Sequence, residues 1–167
     1  GELDGGCSER IAAIASALER AGFPASICAN MDAWLKTHVA KILPTAGALF
    51  YAGGHAEQLA INHEALRLMV RAIREGLQVL RANDIPITPS NHRVLQWLPE
   101  SLIVCLMKRM FSTETIGIKV GHAGHAHREL QILVQEFQAL NAATKLPTPA
   151  MDRLNEHLAF TAADDHT

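Results

Sequence analysis

The feature that most constrains this chain is a long segment, residues 55–82, whose apolar residues recur at helical spacing. The apolar positions are Leu59, Leu66, Met69, Val70, Ile73, Leu77 and Leu80, and polar residues cover the opposite face. A spacing of three to four residues places them along one stripe of a helix, whereas a half-buried strand would alternate strictly. We expect this stripe to belong to the protein core, because such stripes are far more often core than interaction faces.

The chain after residue 30 shows no convincing strand pattern. We predict further helices over residues 31–41, 45–51, 94–98, 101–111, 122–144 and 150–160. Pro44 should interrupt the first of these segments, since proline lacks the amide hydrogen that a helix interior requires. The prolines of residues 84–90 predict a turn, residues 112–120 a loop, and the apolar run 102–107 a helical turn enclosed by its neighbours. The predicted fold class is therefore all-α, with many helices.

Residues 1–29 have a different pattern, that of a helix followed by a strand. Ser8 is suited to cap a helix that Gly22 ends, and residues 23–28 predict a short strand. Together with the opening GELDGG, this unit is typical of the tail of an α/β domain whose larger part is not in this chain. The predicted organisation is thus residues 1–29, a helical domain over 30–160, and a disordered polar tail over 161–167.

Charge and cysteine content exclude several classes of function. A net charge of −2, with no Lys/Arg cluster denser than Lys108-Arg109, offers no basic surface to a nucleic acid. The longest apolar run is far shorter than a membrane span, and the N-terminus has no signal-peptide pattern. Three widely spaced cysteines without a CxxC pair fit reduced thiols better than disulfides or a zinc site. We therefore expect a cytoplasmic protein that binds neither nucleic acid nor a membrane.

Lys36 is the first candidate functional residue. It lies in the segment NMDAWLKTHVAK, which predicts a buried helix at a domain junction. A lysine close to apolar surface loses hydration and becomes suited to proton transfer. The alternative is a lysine whose stem lies on apolar surface while its ammonium reaches water.

A second candidate is the segment GHAGHAHRE. On a helix, His122, His125 and Glu129 are three and four residues apart and share one face. These groups are either ordinary surface residues, metal ligands, or the lining of a cleft opposite Lys36. We predict no metal, because one helix rarely supplies three ligands in tetrahedral geometry and no HExxH motif or cysteine pair supports it. In the cleft interpretation, His122 and His125 bind a polar substrate.

The sequence contains no recognisable nucleotide cradle and no activated nucleophile. The pairs Gly5-Gly6 and Gly53-Gly54 lack the GxGxxG pattern, and no GxSxG motif is present.

The order of three motifs resembles the C-terminal portion of the ketopantoate reductase family. These motifs are GELDGG with a following helix and strand, WLK at the start of a helical domain, and a late glutamate followed by a TP loop. The resemblance covers nearly the whole chain. It implies a helical domain similar to the 6-phosphogluconate dehydrogenase C-terminal fold, after the end of a Rossmann-like domain. It places the family's general-acid lysine on Lys36. The family's late glutamate falls on Glu129, which precedes Pro149 of the TP loop by the family's spacing.

The resemblance implies a 2-dehydropantoate 2-reductase-like oxidoreductase of pantothenate biosynthesis. Such an enzyme reduces a 2-keto acid with NADPH, which is held mainly by the domain absent here, so this fragment alone should be inactive. We also expect that the chain can form a homodimer. The alternative is a helical dimerisation or interaction module that has lost catalysis, and it is favoured by Ala40, Pro44 and Gly117 where the family has two asparagines and a serine.

Overall fold

The computed structural model of the chain describes residues 1–2, 5–113 and 127–158. Its α-helices are α1 (Glu9–Arg20), α2 (Met31–Tyr51), α3 (Ala56–Ile61), α4 (His63–Ala82), α5 (Glu100–Phe111), α6 (His127–Thr144) and α7 (Pro149–Asn155). Short 3₁₀ helices span Ser90–Gln96 and Glu156–Leu158. The described residues form no strand, which confirms the all-α class. The specific 6-phosphogluconate dehydrogenase C-terminal-like arrangement stays a prediction.

The N-terminal segment forms the predicted helix but not the predicted strand. Ser8 caps α1 by accepting a hydrogen bond from the Ile11 amide at 3.3 Å, and Gly22 follows the helix with a φ of 84°. Residues 23–28 run without strand hydrogen bonds, so the prediction of a strand there is wrong. A strand needs a partner for its backbone groups, and the described residues place none beside it.

The prediction that Pro44 interrupts the second helical segment is also wrong. α2 is 21 residues long and continues without a break through Pro44. Pro44 and Ala40, one turn earlier, are both buried. The lost hydrogen bond is offset by packing, because Ala40 and Gly76 let α2 and α4 approach closely: a side chain at Gly76 would come within 3.0 Å of the Ala40 carbonyl.

The long periodic segment folds as two helices rather than one. Asn62 ends α3 and caps α4, with its Oδ1 atom accepting from the Ala65 amide at 3.0 Å. The apolar stripe itself is buried as predicted, and Leu59, Leu66, Met69, Leu77 and Leu80 are almost completely inaccessible. The core thus forms where α2 and α4 pack along each other and α7 packs on both.

The apolar run in α5 is only partly enclosed. Ile103 and Val104 are buried, but Leu102 and Leu106 are 45% and 53% exposed, and Cys105 is exposed. The prediction of an all-round enclosed turn is therefore wrong for half of the run. Before α5, residues 94–98 belong to a 3₁₀ helix that begins at Ser90 and to the turn after it.

Several predictions lie outside the described residues. These are the loop beyond residue 113, the start of the helix at 122, Gly117, and the tail 161–167. The last predicted helix, 150–160, corresponds to α7 and the 3₁₀ helix after it. None of the described helices is long and apolar enough to cross a membrane.

Candidate functional site

α2 carries the candidate site because it presents polar residues on two sides of a buried helix. Asn30 caps its start, accepting from the Ala33 amide at 3.0 Å. Lys36 and Lys41 are five residues apart, so they point about 140° from each other around the helix axis. Each lysine meets a different part of the fold.

Lys36 is partly exposed and paired with a carboxylate of its own helix. Its Nζ donates to Asp32 Oδ2 at 2.7 Å, and its side chain is 40% exposed. Lys36 itself is therefore not buried, although α2, which carries it, is buried along much of its length, and the domain junction stays a prediction. Lys36 fits the alternative interpretation better, in which the aliphatic stem borders apolar residues while the ammonium reaches water, here paired with a carboxylate.

The Lys36 groove is a cavity of about 340 Å³ between α2 and α6. It is lined by Lys36, Val39, Glu136, Phe137 and Leu140. Three of these residues are apolar, and the two charged ones, a lysine and a glutamate, come from opposite helices. Such a groove can accept a small ligand with an apolar part and one polar end.

The other predicted site residues are placed differently. Glu129 lies in the first turn of α6 with an exposed side chain, and it is not among the residues that line the groove. Glu136 lies seven residues further along α6, about 10.5 Å along the axis, and supplies the carboxylate there. His122 and His125 lie outside the described residues.

The two positions at which the ketopantoate reductases have asparagines are buried in this chain. Ala40 and Pro44 follow Lys36 at spacings of four and eight residues, on the same side of α2, and both are buried. Neither is among the groove residues. These two positions therefore offer no polar group to a ligand in the groove.

The predicted TP loop borders a second cavity, of about 240 Å³, which shares Phe137 with the Lys36 groove. Thr148 and Asp152 line it, and the Thr148 hydroxyl donates to Asp152 Oδ1 at 3.2 Å. Asn155 also lines it and is 9% exposed, and its amide has no hydrogen-bond partner in the described part of the chain. Buried amides normally have a partner, so the unpaired amide of Asn155 is an exception among the side chains that border this cavity.

A group of residues that the sequence did not reveal lies on the other side of α2. We call His38, Lys41 and His92 the Lys41 cluster. Lys41 Nζ is 2.8 Å from His92 Nε2, which joins α2 to the 3₁₀ helix Ser90–Gln96. His38 stacks on Trp34 with ring centroids 5.3 Å apart. Because an ammonium can only donate, Nε2 of His92 is the acceptor and its imidazole is neutral.

The pKa values of all three groups are lowered. Burial lowers the pKa of Lys41. Burial first, and the positive charge of Lys41 second, lower the pKa of His92 and that of His38. All three groups therefore release a proton more readily than the same side chains do in water, and clusters with lowered pKa values of this kind are candidates for a functional site.

Sequence spacing could have found only part of this cluster. Trp34, His38 and Lys41 share a face of α2 at spacings of four and three residues. His92 is 51 residues from Lys41, and only the folded chain brings them together. In the described ranges, no group of three or more histidine, cysteine or acidic side chains is arranged to hold a metal ion.

Comparison of the chain with protein-family models, curated proteins and solved structures finds no match. The resemblance to the ketopantoate reductases therefore depends on the sequence motifs alone.

Proposed function

We propose that this chain is the helical, substrate-binding part of an NADPH-dependent 2-keto acid reductase similar to the ketopantoate reductases. The observation that carries the proposal is the position of Lys36, which lines an apolar groove while 40% of its side chain stays exposed. A 2-keto acid combines a carboxylate and a carbonyl with a short apolar chain. A cation beside an apolar wall suits that combination.

In this proposal NADPH, held by a separate domain, supplies the hydride. As negative charge develops on the substrate's carbonyl oxygen, the Lys36 ammonium stabilises it and donates a proton to it. Asp32 holds the ammonium at 2.7 Å before the substrate binds. Glu136 is the carboxylate that borders the groove, whereas Glu129 lies outside it, so the proposal assigns the orientation of Lys36 to Asp32 rather than to Glu129.

The N-terminal segment supports the two-domain arrangement. α1 buries none of its residues, and Ile14 and Leu18 are exposed on it. Apolar side chains repeated on one face of a helix are typical of a surface that packs against another body. In the proposal that body is the Rossmann-like domain, and the protein is cytoplasmic with its three cysteines free.

The first test is ligand binding followed by NMR. We expect 2-oxoisovalerate, a branched 2-keto acid, to shift the amide signals of Val39 and Phe137 in a saturable way. Lys36→Met removes the cation and keeps the stem, so it should weaken binding at least about tenfold, as loss of a charge-assisted hydrogen bond does.

Lys108→Met is the matched control, because Lys108 is an exposed lysine on α5 outside the groove. Its binding should equal that of the unchanged chain. No saturable shift at about 10 mM ligand, or equal weakening by both substitutions, would contradict the proposal.

A second candidate function is a helical dimerisation module without catalysis. The observation that favours it is the exposed apolar stripe of α5, formed by Leu102, Leu106 and Met110 at spacings of four residues. Side chains at this spacing line up along one face and could pack against the same face of a second copy.

A further inference from the structure

A polar pocket lies away from both the Lys36 groove and the cavity at the TP loop and shares no residue with either. Its volume is about 430 Å³, within the usual range of about 300–1,000 Å³ for ligand pockets. It forms where the end of α4, the loop after it and the 3₁₀ helix Ser90–Gln96 meet. The lining residues are Arg81, Ile85, Pro86, Ile87, Arg93, Gln96 and Trp97.

The charged residues that line this pocket are both cations. Arg81 and Arg93 are exposed, and neither has an ion-pair partner among the described residues. By contrast, Arg67 and Arg71 on α4 both lie against Glu100, with Arg71 Nε at 2.8 Å from Glu100 Oε2. Two unpaired guanidinium groups at one pocket suit the planar oxygens of a carboxylate or a phosphate.

The last carbonyls of α4 do not compete for these arginines. The carbonyl of Leu80 accepts from the Ile85 amide at 2.9 Å, and that of Arg81 accepts from the Asp84 amide at 3.1 Å. Arg81 and Arg93 therefore remain available to a ligand in the pocket.

Trp97 supplies an aromatic surface on a fixed backbone. Its side chain is 81% exposed, which is unusual for so large an apolar group. Arg74 of α4 donates to the carbonyls of Leu95 and Leu98, on either side of Gln96 and Trp97, and so holds this stretch in place. An exposed indole on a held backbone is suited to stack on a planar ring.

Gln96 adds an unused donor. Its Nε2 atom is buried and has no hydrogen-bond partner within the described residues. A buried donor without an acceptor is unfavourable, so rotation of the Gln96 amide into the pocket, where it could donate to a ligand oxygen, would be favoured when a ligand binds. Ile85, Pro86 and Ile87 complete an apolar wall.

We propose that this pocket binds a small anion carried on a planar ring, such as a nucleoside monophosphate or an aromatic carboxylate. Arg81 and Arg93 bind the anionic group, Trp97 stacks on the ring, and the Gln96 amide donates to a ligand oxygen. This site is independent of the Lys36 groove and of any activity proposed there.

The test follows the indole N–H signal of Trp97 by NMR, which Trp34→Phe identifies by removing the only other indole. Adenosine monophosphate and benzoate are titrated separately. We expect saturable shifts of the Trp97 signal with at least one of them, and the one that binds identifies the source of the anion. Arg81→Gln and Arg93→Gln should each weaken binding about tenfold.

Adenosine lacks the anion and ribose 5-phosphate lacks the planar ring, so each should bind about tenfold more weakly than adenosine monophosphate if the nucleotide is the ligand. Arg109→Gln, an exposed cation on α5 outside the pocket, is the matched control and should leave binding unchanged. The proposal is overturned if neither probe shifts Trp97 at about 10 mM, if adenosine binds as well as its phosphate, or if Arg109→Gln weakens binding as Arg81→Gln does.

Discussion

Among single residues, the contact of Lys41 with His92 links two elements through groups that both titrate. The Nζ–Nε2 distance is 2.8 Å, and the bond requires a neutral imidazole. A proton added to His92 would place two cations side by side. The charge states of the two residues are therefore coupled.

This coupling predicts how the pKa of His92 responds to a substitution. Lys41→Met removes the positive charge and keeps an apolar stem, so the pKa of His92 should rise toward its ordinary value of 6.5, while burial still lowers it. An NMR titration of the imidazole signals measures this value. Lys36→Met is the control, because Lys36 pairs with Asp32 and should leave His92 unaffected.

The same substitution should change how stability depends on pH. Below pH 6.5 the unfolded chain takes up a proton on His92 more readily than the folded chain, so acidification lowers the free energy of unfolding. In Lys41→Met this loss should be smaller, as thermal melts at several pH values would measure. If acidification lowers the free energy of unfolding equally in both chains, or if the pKa of His92 falls in Lys41→Met, then Lys41 does not lower the pKa of His92.

The two lysines of α2 show what sequence reasoning could find at this scale. Lys36 stands out because its neighbours Trp34, Leu35 and Val39 are apolar, and it does line a groove. The sequence did not show that Asp32, one turn earlier, would pair with it. Lys41 has the desolvated environment expected of Lys36, because the 3₁₀ helix that carries His92 covers it.

At the level of elements, Glu75 fixes α7 against α4. Thr148, the N-cap residue of α7, makes no capping hydrogen bond with its side chain. Glu75 supplies the cap instead, since its two oxygens accept from the amides of Ala150 and Met151 at 3.1 and 2.8 Å. A carboxylate at a helix N-terminus satisfies free amides and interacts favourably with the helix dipole.

Glu75→Ala should therefore lower the free energy of unfolding by about 2 kcal/mol or more, because it leaves two partly buried amides without an acceptor. Glu75→Gln keeps one oxygen acceptor and should cost less. Urea unfolding measures both. Glu57→Ala, at an exposed glutamate of α3, is the control and should change the free energy of unfolding by less than about 0.5 kcal/mol.

The difference in the free energy of unfolding between the unchanged chain and Glu75→Gln should also depend on pH. Burial raises the pKa of Glu75 above its ordinary value of 4.5, although the two amide bonds oppose this shift. The stability that this raised pKa adds is present below pH 4.5 and is lost as the pH rises through the folded value. The advantage of the unchanged chain over Glu75→Gln should thus shrink from pH 4.5 upward, and an advantage that grows would contradict the assignment.

Helices were easier to predict from the sequence than their ends. The apolar stripe of α4 fixes a helix because its period leaves no other way to bury the six large residues of the stripe that α4 contains. The break at Asn62 depends on one side-chain hydrogen bond, and the continuity through Pro44 depends on close packing of Ala40 against Gly76. Both are decided by contacts that a local sequence pattern does not contain.

For the whole molecule, the exposed stripe of α5 predicts association. If Leu102, Leu106 and Met110 pack on a second copy, Leu106→Glu should shift the chain from dimer to monomer, because it buries a charge in an apolar contact. Sedimentation equilibrium over a range of concentrations measures this shift. Ile132→Glu, at an exposed apolar residue of α6, a helix other than α5, should leave the dimer intact.

A chain that is monomeric at about 100 µM would exclude this dimer, because stable homodimers have dissociation constants well below that concentration. If both substitutions shift the chain equally from dimer to monomer, the dimer contact does not lie on the α5 stripe.

The absence of buried side chains in α1 also determines what an unfolding experiment on this chain reports. We expect the cooperative unit to begin near the Asn30 cap of α2, because no residue of α1 belongs to the buried core that the described residues form. The denaturant slope scales with surface exposed on unfolding, so it reflects residues from 31 onward. α1 adds helical signal to the folded baseline while contributing little to the transition itself.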